Sequence, residues 1–276
     1  MYTFIDSLED LQFLNNEFLT KKYLAVDTEF RRTTKDNMKL ALLQVNDDEE
    51  IYLIDTIAIS DPKENASFLF SESVIKIFHS CKEDLEAIYS WTNKKMVNIF
   101  DTQIANAFLN SDYSIGYQGL VEKRLGITLD KKETRSNWIR RPLRDAQLKY
   151  AALDVEYLIH LYKEQKEELI KSSKLDWHNQ DIERLINNTF NTSSPFTEIE
   201  RTISKAQELE LLGKFNIIIE DIAKEKKINP TLFFSKKAQK EFLRLVFIDG
   251  LESACNEITL WRQELIRRHV LDLLRQ

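Results

Sequence analysis

The sequence predicts an α/β fold: a mixed sheet of about five strands flanked by helices, followed by a small all-helical domain. Three observations carry this. In the first half, short β-rich runs alternate with segments of helical periodicity. Strand signals stop after Tyr113. Beyond NNTFNTSSPF (187–196), a non-periodic stretch rich in Asn, Ser and Thr that contains Pro195, apolar residues recur only at helical spacing.

Element by element, Asp6 and Ser7 are capping residues for a helix with Leu8, Leu11, Leu14 and Phe18 on one face. YLAVDTEF (23–30) reads as a strand. LALLQV (40–45) and IYLIDT (51–56) flank the polar NDDEE and predict a hairpin. VIKIFH (74–79) is a strand leading into a helix at 82–91, and MVNIFDT (96–102) leads into one at 103–109. VEKRLG and the long pattern 144–171 are helical. Past the 187–196 linker, one apolar stripe uses Leu209, Leu212, Phe215, Ile219 and Ile222. Another uses Leu260, Leu265, Val270 and Leu271.

The 276 residues are 43% hydrophobic and 30% charged, which suits one large domain or two ordinary ones. A net charge of −6 excludes a protein coated in positive charge, though not a local basic groove. Cys81 and Cys255, the only cysteines, are too few for a disulfide framework or a cysteine-based zinc site. No apolar run has the length of a membrane helix. The start, MYTFIDSLEDLQFL, is acidic and amphipathic, unlike a secretion signal. No membrane and no obligate protein partner are expected, and two lone thiols fit a reducing compartment.

Five residues stand out chemically. Asp27 and Glu29 lie two apart on a strand, so both carboxylates share one face. Such a pair suits a solvated strand end or, with a cation between the acids, an oxygen-only site for Mg²⁺ or Mn²⁺. Asp84 falls in the first turn of a helix, where the dipole favours an acid in any case. His79, at a strand end, reads as a structural hydrogen-bonding group. Tyr150 and Asp154 are four apart on an otherwise apolar helix, and an acid there needs a partner or a metal.

The order of these segments resembles the DEDD-superfamily 3′-to-5′ exonucleases, in the branch with a catalytic tyrosine that includes the bacterial ribonuclease D family. The three motifs are VDTEF (26–30), HSCKEDLE (79–86) and YAALD (150–154). DTQIANAF (101–108), GLVEKRLGITLDK (119–131) and TRSNWIRRPL (134–143) resemble the same family, and the likeness covers roughly 20–165. It implies a ribonuclease H-like exonuclease domain over 1–190. It also implies that Asp27, Glu29, Asp84 and Asp154 hold two divalent ions, Mg²⁺ or Mn²⁺. Asp27, Glu29 and Asp154 would hold the first ion. Asp27 would bridge to the second, with Asp84 contributing through water. Tyr150 would orient the attacking water. The implied activity is 3′–5′ exoribonuclease action on transfer RNA precursors and other small RNAs with a free 3′ end, releasing 5′-phosphomononucleotides, and the implied location is the cytoplasm. The alternatives are a 3′–5′ DNA exonuclease and a catalytically inactive RNA-binding adaptor.

The segment 131–150 is basic, with Lys131, Lys132, Arg135, Arg140, Arg141, Arg144 and Lys149. Cations interleaved with an aromatic suit a single-strand path, and Trp138, Arg140 and Arg141 are the RNA-facing candidates. A solvated loop is the alternative. Residues 197–276 resemble one divergent helical HRDC-like repeat of the kind that follows the nuclease domain in ribonuclease D. Lys224, Lys226, Lys227, Lys236, Lys237 and Lys240 there are either phosphate-facing or solvated.

Overall fold

A computed structural model describes residues 1–34, 37–109, 112–129, 136–190 and 204–275. The described elements are β1 (Tyr2–Ile5), α1 (Leu8–Phe18), β2 (Tyr23–Thr34), β3 (Asn37–Asn46), β4 (Ile51–Ile54), β5 (Ile75–Phe78) and α2 (Lys82–Thr92). They continue with β6 (Ile99–Asp101), α3 (Thr102–Leu109), α4 (Tyr117–Leu125), α5 (Asp145–Glu156) and α6 (Leu158–Lys171). The last are α7 (Leu175–Phe190), α8 (Lys205–Lys226), α9 (Pro230–Phe233), α10 (Lys236–Asn256) and α11 (Leu260–Leu274). The chain divides into two compact units: 1–103 with 115–167, and 104–114 with 168–276. The sequence predicts a first domain over 1–190, whereas 104–114 and 168–190 cluster with the second unit. Of the expected linker, 187–190 end α7 and the rest lies outside the described residues.

The first unit is built on a six-stranded mixed sheet in the order β1-β4-β3-β2-β5-β6. The β3–β4 hairpin forms as expected, antiparallel, with Val45 opposite Tyr52. The sixth strand is β1, which pairs parallel with β4 along Tyr2–Ile5. Four residues are too few to show a period, which is why the sequence did not give it away. Strand β2 also runs further than YLAVDTEF, to Thr34, because β3 continues to pair with it.

The two faces of the sheet are distinct. Ser7 caps α1 by accepting from the Asp10 amide. Phe18 of α1 packs edge-on against Tyr52 of β4 and Phe68, at 5.3 and 4.9 Å. Thr28 of β2 points the same way and meets Asp84 of α2. On the opposite face lies α5. Asn46 of β3 donates to the Val155 carbonyl of that helix at 3.1 Å.

Lys76, on strand β5 between β2 and β6, is fully buried. Its ammonium donates to the carbonyls of Ser71 and Val74 at 2.6 and 2.7 Å. Burial lowers its pKa from the ordinary 10.5 to about 7.

The second unit is helical. Trp261 is buried and stacks on Trp177 of α7 and on Phe233, at 5.0 and 5.4 Å. The Arg262 guanidinium lies 4.2 Å from the Trp261 ring centre. Both oxygens of buried Asp181 accept from Arg262, and one also accepts from the Trp261 indole N–H at 3.0 Å. Arg262 donates its remaining protons to the carbonyls of Phe233 and Leu232 and to the Thr259 hydroxyl. A second aromatic group joins Phe215 to Phe242, stacked at 5.7 Å.

Both predicted stripes need correction. Leu209 is 73% exposed, and the buried face of α8 uses Phe215, Ile219 and Ile222. On α11 the buried set is Trp261, Ile266, Val270 and Leu273, while Leu260 and Leu271 are exposed. A three- or four-residue choice of period shifts a helical face, and the aromatic anchor at Trp261 decides it. Of the basic residues, Lys226, Lys237 and Lys240 pair with Glu225, Glu241 and Glu208. Among the described residues no helix is long and apolar enough to cross a membrane.

Two outcomes follow. Asp181→Ala strands a buried guanidinium and an indole N–H. Urea unfolding followed by tryptophan fluorescence is expected to show a loss of about 3–5 kcal/mol. For Lys76, the unfolded chain holds a proton between pH 7 and 10.5 that the folded chain has released. Stability therefore rises with pH across that window. In Lys76→Met this slope is absent, and melting curves from pH 6 to 10.5 check it.

Candidate active site

Asp27 and Glu29 sit on β2, and the register Asp27↔Gln44 and Glu29↔Leu42 puts them on the α5 face of the sheet. Between them, Thr28 faces the other way, and its hydroxyl donates to Asp84. Asp84 lies in the first turn of α2 and is only 7% exposed. The loop that delivers it is pinned by Asp101, which accepts from the amides of Ser80 and Cys81 at 3.1 and 2.8 Å. His79 bonds Thr102 and the Ile115 carbonyl, the structural role expected of it.

Tyr150 and Asp154 come from α5. The Tyr150 hydroxyl hydrogen-bonds the Asp154 carboxylate, as their four-residue spacing allows. α5 ends at Glu156 and α6 begins at Leu158. At this break the Tyr117 hydroxyl donates to the Leu153 carbonyl and accepts from the Tyr157 amide, both at 3.0 Å. Leu153 and Tyr157 are the two ends of one helical rung, so the hydroxyl takes the place of a backbone hydrogen bond. Asp154 stands beside the interrupted rung.

The four acids share one electrostatic environment. Burial pushes Asp27 well above the carboxylate range, and Asp84, Asp154 and Glu29 add to the shift. Burial, then Asp154 and Asp84, raises Glu29 to about 9. Burial raises Asp84 against the opposing hydrogen bond from Thr28. It raises Asp154 against that from Tyr150. Four carboxylates so placed cannot all be ionised without a neutralising cation. As an all-oxygen donor set they fit a hard divalent ion. Among the described residues, no three such side chains are closed into a ready-made metal cage. The fit therefore rests on donor chemistry and charge.

The structure brings all five expected residues to one site but treats the RNA-facing candidates differently. Trp138 is 4% exposed, and its ring lies 6.2 Å from that of Tyr150. It fills the space beside the tyrosine and offers no stacking face to solvent. Arg141 is also committed. Its guanidinium grips both oxygens of Asp55 at 2.6 Å and donates to the carbonyls of Ala41 and Trp138. This clasp ties the segment before α5 to the sheet. Arg140 alone of the three is exposed. Lys131, Lys132 and Arg135 lie outside the described residues.

Sequence reasoning missed Thr28, Tyr117 and Gln44. Gln44 is fully buried opposite Asp27, and neither amide atom has a hydrogen-bond partner among the described residues. A polar residue inside the apolar run LALLQV was its available signal. For Tyr117 there was none, since its partners are backbone atoms some forty residues away.

Known proteins resemble this chain in sequence and in fold. A family profile described as 3′-5′ exonuclease matches residues 2–170. Ribonuclease D of Shewanella sp. is 37% identical over 185 residues, covering 67% of this chain and 48% of that protein. Ribonuclease D of Haemophilus influenzae is 42% identical over 152 residues, covering 55% and 38%. The crystal structure of Escherichia coli RNase D, described as an exoribonuclease involved in structured RNA processing, superposes with a TM-score of 0.67. The two are 26% identical, and the match covers 100% of this chain and 74% of that one. The ribonuclease H-like fold is thereby shared, while the chain spans about half the length of the curated relatives it matches. Exonucleases of this kind use divalent metals. The chain belongs to the 3′–5′ exonuclease family that includes these ribonuclease D relatives.

Proposed function

We propose that the chain is a metal-dependent 3′–5′ exoribonuclease that trims RNA with a free 3′ end, transfer RNA precursors and other small RNAs among them, in the cytoplasm. The carrying observation is the cluster of Asp27, Glu29, Asp84 and Asp154 in one electrostatic environment, with Tyr150 hydrogen-bonded to Asp154. Asp27, Glu29 and Asp154 would hold one ion. Asp27 and Asp84 would hold a second, with Mg²⁺ or Mn²⁺ in both places. When bound, such ions make water more acidic and neutralise charge on the attacked phosphate.

The chain's own groups do the positioning. A tyrosine with an ordinary pKa of about 10 is a weak base, so Tyr150 orients the attacking water and does not strip its proton unaided. Trp138 packs beside it and limits the positions its ring can take. The thermodynamic products are a nucleoside 5′-monophosphate and an RNA one residue shorter. Support for RNA comes from the ribonuclease D relatives and from the E. coli structure's description as an exoribonuclease.

The test is a time course on a 5′-labelled, tRNA-like RNA with a 3′ extension, beside single-stranded DNA of the same sequence. With Mn²⁺ or Mg²⁺ a ladder shortening from the 3′ end of the RNA is expected, and EDTA abolishes it. Asp27→Asn and Asp154→Asn are expected to leave the RNA intact while melting like the parent; full activity in either rejects the site. Tyr150→Phe is expected to lower kcat about 100-fold with KM near the parent's. A faster ladder on DNA would keep the chemistry and replace the substrate.

A further inference from the structure

Strand β2 carries the catalytic candidates on one face and structural contacts on the other. Thr28 and Arg32 face α2, where they meet Asp84 and Glu86. Alternation along the strand then puts Asp27, Glu29 and Arg31 together on the opposite face. β3 supplies a second cation there. Lys39 is the cross-strand partner of Arg31, and directly opposed residues of an antiparallel pair share a face.

This pairing depends on a bulge. Glu29 pairs with Leu42, but Phe30 pairs with Leu40, so β3 holds one extra residue at this point. Without it, Lys39 would oppose Arg32 on the α2 face and Leu40 would oppose Arg31. The bulge re-aims Lys39 toward the side of the acids. Arg31 and Lys39 are both exposed. Neither has an acidic partner among the described residues, whereas the adjacent Arg32 pairs with Glu83 and Glu86. Two like charges directly opposite one another destabilise a strand pair unless an anion lies between them. At about 3.3 Å per residue, Arg31 stands about 7 Å beyond Glu29 along the strand.

We propose that Arg31 and Lys39 form a phosphate clamp. The two cations take a backbone phosphodiester of single-stranded nucleic acid, next to the linkage presented to the four carboxylates. The clamp's place in the site rests on the nuclease reading above; its affinity for phosphodiesters does not.

The test uses Arg31→Gln, Lys39→Gln and the double variant, with Lys94→Gln, whose ammonium pairs with Glu64, as the control. Binding of a fluorescent single-stranded RNA is measured in EDTA over a series of KCl concentrations, and cleavage kinetics are measured with Mn²⁺. The double variant is expected to raise Kd and KM about tenfold or more, with kcat within about twofold. The slope of log K against log salt is expected to fall by about 0.7 per cation removed. Its melting temperature stays at or above the parent's, and the control matches the parent throughout. Parental Kd, KM and salt slope in the double variant overturn the clamp, as does loss of kcat alone. Matching single-stranded DNA should lose affinity equally, because the contact is to phosphate; a loss confined to RNA overturns it. A parent that binds RNA but leaves it intact with metal refutes the nuclease reading, and the binding arm still decides the clamp.

Discussion

Four carboxylates held close together, Asp84 buried and the other three half-buried, are the constraint on which the first unit depends. Each is driven toward its protonated form by burial, and the other acids raise Asp27 and Glu29 further. An arrangement this unfavourable persists only if the backbone that carries it is over-determined. Two acids ride on one strand, one on the first turn of a helix and one on another helix. The sheet must therefore hold three elements in register before any chemistry is available.

The scaffold meets that requirement with polar ties where apolar packing would leave freedom. Helix α5 is held to the sheet by Asn46 at its C-terminal end. The segment leading into it is held by the Arg141–Asp55 clasp. Tyr117 fixes where α5 stops, by substituting its hydroxyl for a helical rung. Each tie uses donors and acceptors in defined directions, which sets orientation as well as distance. The residues expected to touch RNA, Trp138 and Arg141, are spent on this task. Their basic and aromatic character serves the placement of Tyr150 and Asp154.

The helical unit solves a different problem. A small set of helices has little interior, so a few large side chains dominate it. Trp177, Trp261 and Phe233 stack, and Asp181 with Arg262 neutralise each other beside them. The Arg262 guanidinium and the Trp261 indole N–H both have acceptors, which is the condition for burying charge at tolerable cost. Lys214, Lys226, Lys237 and Lys240 of the unit pair with glutamates, so its surface is more balanced than the lysine count alone suggests.

The sequence by itself determined the class of fold, most strands, the helices that follow them and the five residues of the candidate site. Those features are local: a period of two or of 3.6, a cap, or a pair of acids at fixed spacing is written within a few neighbouring residues. Asp27 and Glu29 could be paired from a strand's alternation, and Tyr150 and Asp154 from a helix's turn. What only the tertiary structure decided was which partners those residues meet. β1 needed β4 to become a strand. Trp138 and Arg141 could be told from solvent-facing residues only once Tyr150 and Asp55 were in place. One extra residue in β3 turned Lys39 toward the acids, and Tyr117 found its role in backbone atoms of a distant helix. Contacts between residues far apart in the chain leave no periodic mark, because their geometry is created by the packing that brings them together.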